Sequence, residues 1–309
     1  MGSNGSPPLS DRLSRLEAGA GLRALAHRAY LALHRGAERV GLHLVRASYD
    51  SPIPRRSELR SETFERQSAM RAIEWNPELQ MRFVETELRD YLAEFQPSPG
   101  PGEVGSFRLG NGTYDSVDAE LLFAMVRWSA PARYIELGSG YSTLIAALAL
   151  QRNGKGVLRC YDPYPSPHVV ARPELAAHLQ AVGVQALPEA VVRELQAGDI
   201  LFVDTSHTVK MGGDVNRIVF EMLPLLAPGV LVHFHDVFWP YDYSRGHIGN
   251  AHYWTEQYLL QAFLMYNAAW EVIVGGQAIA RHAPDRLRAL VPSFHDGVSP
   301  GALWLRRRL

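Results

Sequence analysis

Downstream of residue 117 the chain alternates short apolar runs with longer stretches of helical periodicity. This alternation predicts a parallel sheet flanked by helices, an α/β fold. The helices read as Asp118–Trp128, Tyr141–Leu150, Ala171–Val182, Ala190–Gln196, Val215–Leu226 and His252–Asn267. Between them fall strand-like runs: Arg133–Leu137, Gly156–Asp162, Val184–Leu187, Ile200–Asp204 and Val230–Asp236. Trp270–Val274 and Ala302–Arg306 read as two final strands, paired antiparallel through a short connection. In an open α/β sheet, ligands bind beyond the carboxyl ends of the strands, so chemistry is to be sought there.

Upstream the pattern is different. Leu13, Leu16, Ala20, Leu25, Ala29 and Leu33 recur at helical spacing among arginines such as Arg12, Arg15, Arg28 and Arg35. A basic amphipathic helix either lies on an anionic surface or partner, or packs its apolar stripe at home with a solvated Arg face; the second is the commoner arrangement. A Pro-containing break follows at Ser51–Arg56. A second helical stretch then runs from about Ser61 to Phe95, interrupted before Pro77. Gln96-Pro-Ser-Pro-Gly-Pro-Gly102 cannot be regular structure and reads as a domain boundary. The expected organisation is a disordered tail over 1–10, a helical extension or cap over 11–95, a linker over 96–105 and the α/β domain over 106–309.

Composition narrows the classes. The chain has 309 residues, 47% hydrophobic and 10% aromatic, enough for a sizeable core and too apolar for a disordered protein. Its 31 basic and 32 acidic side chains argue against non-specific nucleic-acid binding, which needs a basic footprint. No stretch offers the roughly 18 apolar residues of a membrane span, and the Gly/Ser/Pro start does not read as a secretory signal. The single cysteine, Cys160, permits no intrachain disulfide and fits a reducing, cytoplasmic setting.

The most informative strand end is Glu136-Leu-Gly-Ser-Gly-Tyr-Ser-Thr143. Gly138 and Gly140 let the backbone turn tightly and let a ligand approach without a Cβ in the way. Ser142 and Thr143 can cap the following helix. Asp162 closes the next strand, placed to accept ribose hydroxyls. The third glycine of the dinucleotide fingerprint is missing, which favours a nucleoside without a pyrophosphate.

With Gly198-Asp-Ile-Leu-Phe-Val-Asp-Thr-Ser-His207, Pro228-Gly-Val-Leu-Val-His-Phe-His-Asp236 and Trp254-Thr-Glu-Gln-Tyr-Leu-Leu-Gln261, this turn resembles the class I S-adenosylmethionine-dependent methyltransferases. Within them it is similar to the branch that O-methylates natural products and sugars. The resemblance covers about Asn111 to the C-terminus. It implies a Rossmann-like seven-stranded sheet, mostly parallel with an antiparallel last strand. It implies S-adenosylmethionine as cofactor, held by Glu136, Gly138, Ser139, Gly140, Ser142, Thr143, Asp162, Asp204 and Thr205. It also implies that Asn111–Asp118 folds over the cofactor.

A second constellation joins Asp204-Thr-Ser-His207 to His235-Asp236. Carboxylates suit Mg²⁺. In similar O-methyltransferases an Asp-x-x-His and a later acidic pair hold a divalent ion, with the His as general base. Carried over, Asp204, His235 and Asp236 are the metal set, His207 is the base and Asp204 its catalytic neighbour. His235 stands where an acid is expected and is a poorer Mg²⁺ ligand; the alternative is that Asp204 and Asp236 only hydrogen-bond cofactor, loop or substrate. An imidazole titrates near neutral pH, which suits His207 to the role; its alternative is a structural histidine. His233, inside an apolar strand, reads as a buried core histidine. Trp239, Tyr241, Tyr243 and His252 form the expected substrate rim, while Trp254, Tyr258 and Phe263 read as core of the following helix. The expected function is methyl transfer to a hydroxyl of a small specialised metabolite. The alternatives are C- or carboxyl methylation, and a non-catalytic binding or scaffold protein. A homodimer is compatible with the apolar N-terminal helices.

Overall fold

The computed structural model describes residues 9–97 and 105–309, with backbone alone for residues 9–23. Seven strands form one sheet: β1 Arg133–Leu137, β2 Val157–Tyr161, β3 Leu179–Gln180, β4 Ile200–Val203, β5 Leu231–Phe234, β6 Trp270–Gly275 and β7 Leu303–Arg307. Their order is β3-β2-β1-β4-β5-β7-β6. The first five run parallel, and β7 is antiparallel to both of its neighbours, β5 and β6. The expected seven-stranded class I sheet is therefore the observed one.

Both faces of the central strands are apolar, as a sheet covered by helices on both sides requires. Tyr134, Ile200, Phe202, Leu231 and Trp304 join one core with the helices Asp118–Ser129 and Tyr141–Asn153. Ile135, Leu137, Leu201, Val203 and Phe234 join the other, with residues 214–226 and the helix Glu256–Leu264. Cys160 is buried in the first of these cores.

Several expected elements shift. Val184–Leu187 is not a strand: Val184–Ala186 is a single tight helical turn, and β3 is Leu179–Gln180, paired to β2 through Cys160↔Leu179. The helix expected over Ala171–Val182 shrinks to Pro167–Val170 and Pro173–Ala176, because Pro173 cannot continue the first piece. The helix expected from His252 starts only at Glu256. The connection between β6 and β7 is not short; it carries the helices Gly276–His282 and Pro284–Leu290.

The boundary of the chain's two compact units falls between Arg60 and Ser61, not at the Pro/Gly-rich stretch, most of which lies outside the described residues. The expected tail over 1–10 lies outside them also, save for the start of a helix at Leu9. The first unit holds that helix, Leu9–Glu38, whose Tyr30 Oη donates to Leu44 O at 3.1 Å. Its Leu25 and Leu33 are exposed. The second unit begins with the short helix Ser61–Glu65 and the consecutive helical pieces Pro77–Phe83, Val84–Leu88 and Arg89–Glu94. Asn76 caps the first of these, its Oδ1 accepting from Leu79 N at 3.1 Å. Met81, Val84, Leu88 and Leu92 are buried in the core shared with Phe123, so residues 61–95 belong to the sheet's own domain and are no separate extension.

Candidate active site

Parallel register explains why distant residues converge. Leu137 lies opposite Tyr161 and Val203, and Val203 opposite Phe234. The ladder runs one residue further: Gly138 N donates to Tyr161 O, Asp204 N to Leu137 O and His235 N to Val203 O, all at 2.9–3.0 Å. Gly138, Asp204 and His235 therefore stand in a row just past the carboxyl ends of β1, β4 and β5.

Gly138 has φ +114°, and a Cβ there would lie 2.2 Å from Asp204 O. The turn can pass the β4 loop only as glycine. Gly140 has open space where its Cβ would be. Glu136 is fully buried, and its Oε1 accepts from Ser142 Oγ at 2.6 Å and Thr143 Oγ1 at 3.0 Å. Burial pushes its pKa up to about 8 against those two bonds. Thr143 Oγ1 also accepts from Gly140 N at 3.0 Å. Glu136 and Thr143 thus brace the turn from behind, whereas Ser139, Gly140 and Ser142 line a cleft of about 680 Å³. Asp162 sits beside the turn, accepting from Ser139 Oγ at 2.6 Å and Tyr164 N at 2.8 Å, and each oxygen keeps further acceptor capacity. Thr205 does not line the cleft.

Asp204, next to Gly138, and Asp236 line the same cleft. His207 lies behind them, 6% exposed, with Nε2 3.1 Å from Asp204 Oδ1 and 3.5 Å from Asp236 Oδ2. Its Nδ1 is 3.0 Å from Glu256 Oε2. Burial disfavours the imidazolium, but the bonds to Asp204 and Glu256 outweigh it and push the pKa up to about 10. Burial likewise works against the Asp204 carboxylate, yet His235 and His207 hold its pKa well below the usual range. His207 and Asp236 both have positive φ, +52° and +60°, so the site carries a backbone cost at two of its residues. Gly301 permits the second: a Cβ there would come within 2.9 Å of the Asp236 backbone.

The metal set expected from sequence changes in membership. Asp204, His207 and Asp236 bring one ligand atom each within 4.8 Å of one another. His235 is not in that group although its Nδ1 lies 3.6 Å from both carboxylates; its Nε2 is turned to Asp118 Oδ2 at 3.4 Å. Asp118 in turn accepts from Gly301 N at 2.8 Å and Ala302 N at 3.0 Å. His233 is buried in the core as expected, stacked on Phe202, with its Nδ1 unpartnered.

The expected rim divides. His252 lines the cleft, stacked on Trp254 with ring centroids 4.8 Å apart. Tyr243 is buried behind, its Oη accepting from Gln257 N. Trp239 packs edge-on against Trp75, and Tyr241 bonds Gln67; both face a separate hollow of about 560 Å³, not the cleft. Trp254 is no core residue of its helix: it precedes it, lines the cleft and lies 4.5 Å from the His207 ring. Tyr258 is exposed.

Sequence reasoning missed Glu256, Asp118 and Tyr114. Glu256 was visible inside the quoted Trp254-Thr-Glu-Gln motif, where an acid opens a helix; Thr255 N and Glu256 N both donate to His207 O. Asp118 was read as a helix start and as the end of the segment over the cofactor, not as a partner of His235. Tyr114 lies on the segment expected to fold over the cofactor, and its ring sits 4.6 Å from His235. That segment, with Gly112 and Thr113, lines both the cleft and an adjoining compartment of about 490 Å³ beyond Asp236.

Residues 135–237 match a family model described as a methyltransferase domain. The match spans β1 through Val237 and so takes in the Gly-rich turn, Asp204, His207 and Asp236. Over this third of the chain the sequence is similar to a methyltransferase domain, and the sheet order is the seven-stranded arrangement that the sequence resemblance implies. One relative is an uncharacterized protein of Archaeoglobus fulgidus, 29% identical over 128 residues; the match covers 38% of this chain and 58% of that one. Among solved structures, the chain is similar to the O-methyltransferase TomG of Streptomyces achromogenes, involved in tomaymycin synthesis and solved with S-adenosylmethionine. The identity is 15% and the TM-score 0.40, covering 65% of this chain and 84% of that one. A methyltransferase structure from Thermobifida fusca matches with 16% identity and a TM-score of 0.42, covering 80% and 97%. No helix among the described residues is long and apolar enough to cross a membrane.

Proposed function

We propose that this chain transfers the methyl group of S-adenosylmethionine to a hydroxyl of a small-molecule acceptor. The observation that carries the reading is one cleft lined by Ser139 and Gly140 of the turn together with Asp204 and Asp236. Gly140, with open space at its Cβ position, suits close approach of the cofactor. Asp162 is the ribose partner of this reading. The sulfonium is already activated, so the protein's tasks are to align the acceptor in line with the methyl group, exclude water and manage one proton.

Two carboxylates and an imidazole suit a divalent cation, and Asp204, Asp236 and His207 would hold it. Bound there, it supplies acidification of an acceptor hydroxyl. In the present arrangement both His207 nitrogens face carboxylates and the ring carries its proton. If Nε2 holds the ion, His207 is no base; its role as base instead requires Asp204 and Asp236 alone to hold the ion, leaving Nε2 to accept while Glu256 holds Nδ1–H.

Titration with S-adenosylhomocysteine tests the core of this reading: micromolar binding is expected, and none at millimolar ligand would sink it. Once an acceptor is in hand, His207→Ala should lower kcat by about 100-fold or more. Unchanged turnover removes His207 from proton transfer. EDTA leaving activity intact removes the ion.

A further inference from the structure

The compartment beyond Asp236 has hydrogen bonds of one sense. Among the described residues, five hydroxyl side chains line it: Thr113, Ser116, Ser244, Ser293 and Ser299. A hydroxyl has a single hydrogen to give. Each of the five spends that hydrogen inside the protein. Thr113 donates to Asn111 Oδ1 at 2.9 Å, Ser299 to Gln277 Oε1 at 3.1 Å, and Ser244 to His247 Nδ1 at 2.9 Å. Ser293 donates to Glu120 Oε1. Ser116 Oγ lies 2.8 Å from Ser293 Oγ, whose hydrogen is already given away, so Ser116 is the donor of that pair.

Glu120 fixes this order from behind. It is 5% exposed, does not itself line the compartment, and its Oε2 has no partner. Turning Ser293 away would strip a hydrogen bond from a buried carboxylate, a costly change. Burial raises the Glu120 pKa, and Ser293 and Ser116 oppose the rise by bonding its ionised form. Neighbouring donors are committed too. The peptide N–H groups of Gly110 and Gly112 donate to Asp115, that of Gly301 donates to Asp118, and His295 Nδ1 donates to Asp296 O. His247, which also lines the cleft, is the exception. Its Nδ1 accepts from Ser244 N as well, and burial lowers its pKa, so the neutral ring keeps its hydrogen on Nε2.

Ser116 and Ser293 therefore offer the compartment lone pairs. Resting on the methyl-transfer reading, we infer that this compartment recognises a hydroxyl or N–H of the acceptor molecule, with Ser116 and Ser293 accepting its hydrogen bond. Glu120 is a positioning residue: it sets the sense of that bond without touching the ligand. A ketone or ether oxygen in the same place meets only lone pairs and binds more weakly. Phe238 and Val298 give the adjoining hydrocarbon an apolar contact.

The probes are cyclohexanol and cyclohexanone, uncharged rings of nearly equal size of which only the first donates. They are titrated by ligand-observed NMR against the full chain at pH 8, with and without S-adenosylhomocysteine. Cyclohexanol should bind about fivefold more tightly, the step expected of one hydrogen bond matched rather than opposed. Glu120→Gln should invert the preference, because its amide NH2 donates to Ser293 and frees the serine hydrogens for the ligand; a purely structural role would weaken both probes alike. Ser116→Ala combined with Ser293→Ala, the second arm if that variant does not fold, should leave the two affinities within about twofold. Equal affinities in the parent, a preference that neither variant alters, or neither probe binding up to its solubility overturns the inference. The cofactor titration reports separately. S-adenosylhomocysteine binding without the alcohol preference defeats this inference alone, whereas the preference in a protein that does not bind S-adenosylhomocysteine defeats the methyl-transfer reading alone.

Discussion

Gly138 and Gly140 look equivalent in the sequence and are not. Gly138 is held at positive φ against the backbone of Asp204, so Gly138→Ala forces β1 and β4 apart at their ends. We expect a stability loss of about 3 kcal/mol, at the upper end for overpacking, together with loss of S-adenosylhomocysteine binding. Gly140 is extended, with room for a Cβ. Gly140→Ala should unfold within about 0.5 kcal/mol of the parent, its effect confined to ligand affinity. Equal destabilisation of the two variants in denaturant melts would contradict this contrast. Glu136 makes a pH prediction. Its pKa in the folded chain is about 8, above the ordinary 4.5, so between those values the folded state keeps a proton that the unfolded state has released. Stability is full below about pH 4.5 and falls as pH rises toward 8, by up to about 1.4 kcal/mol per unit. Denaturant midpoints at pH 5.5 and 7.5 should therefore differ less for Glu136→Gln, which mimics the protonated form, than for the parent. A parent slope unchanged by the substitution would refute the assignment.

At the scale of elements, the helical pieces between Pro77 and Glu94 are structural members of the sheet's domain. Leu88→Ala or Met81→Ala removes a fully buried side chain from the main core and should cost about 2–5 kcal/mol in a denaturant melt. A cost under about 1 kcal/mol would restore the view of a detachable cap. The central strands were legible because apolar runs such as Ile200-Leu-Phe-Val203 are bounded by Gly198 and Asp204, a pattern set by local chemistry. The Gly-rich turn and the carboxylates at strand ends were legible for the same reason. The two-residue β3 was not, because it is defined by pairing to Cys160 and Tyr161 rather than by its own residues. Glu256 and Asp118 escaped because helix-opening acids occur at many helix starts. Only packing shows that these two face histidines from other elements. Trp239 and Tyr241 misled because an aromatic loop reveals nothing of which side of the helix Glu256–Leu264 it lies on.

For the whole molecule, every residue of the proposed site lies in the unit Ser61–Leu309. A chain lacking residues 1–60 should therefore fold cooperatively and bind S-adenosylhomocysteine within about threefold of the parent, well under one tenfold step in affinity. Loss of either would show that the site depends on the first unit. The sheet order adds a consequence in time. β7 inserts between β5 and β6, and the carboxylate of Asp118, which anchors His235, is satisfied by the backbone of Gly301 and Ala302, 183 and 184 residues along the chain. A ribosome therefore supplies the last support of the cleft only once Gly301 and Ala302 have been added. Until then the nascent chain holds a finished Gly-rich turn beside an unanchored His235 and a β6 with no neighbour. Premature termination anywhere before residue 301 thus yields a protein with an open sheet edge and an unfinished site, a product for proteases rather than a weak enzyme.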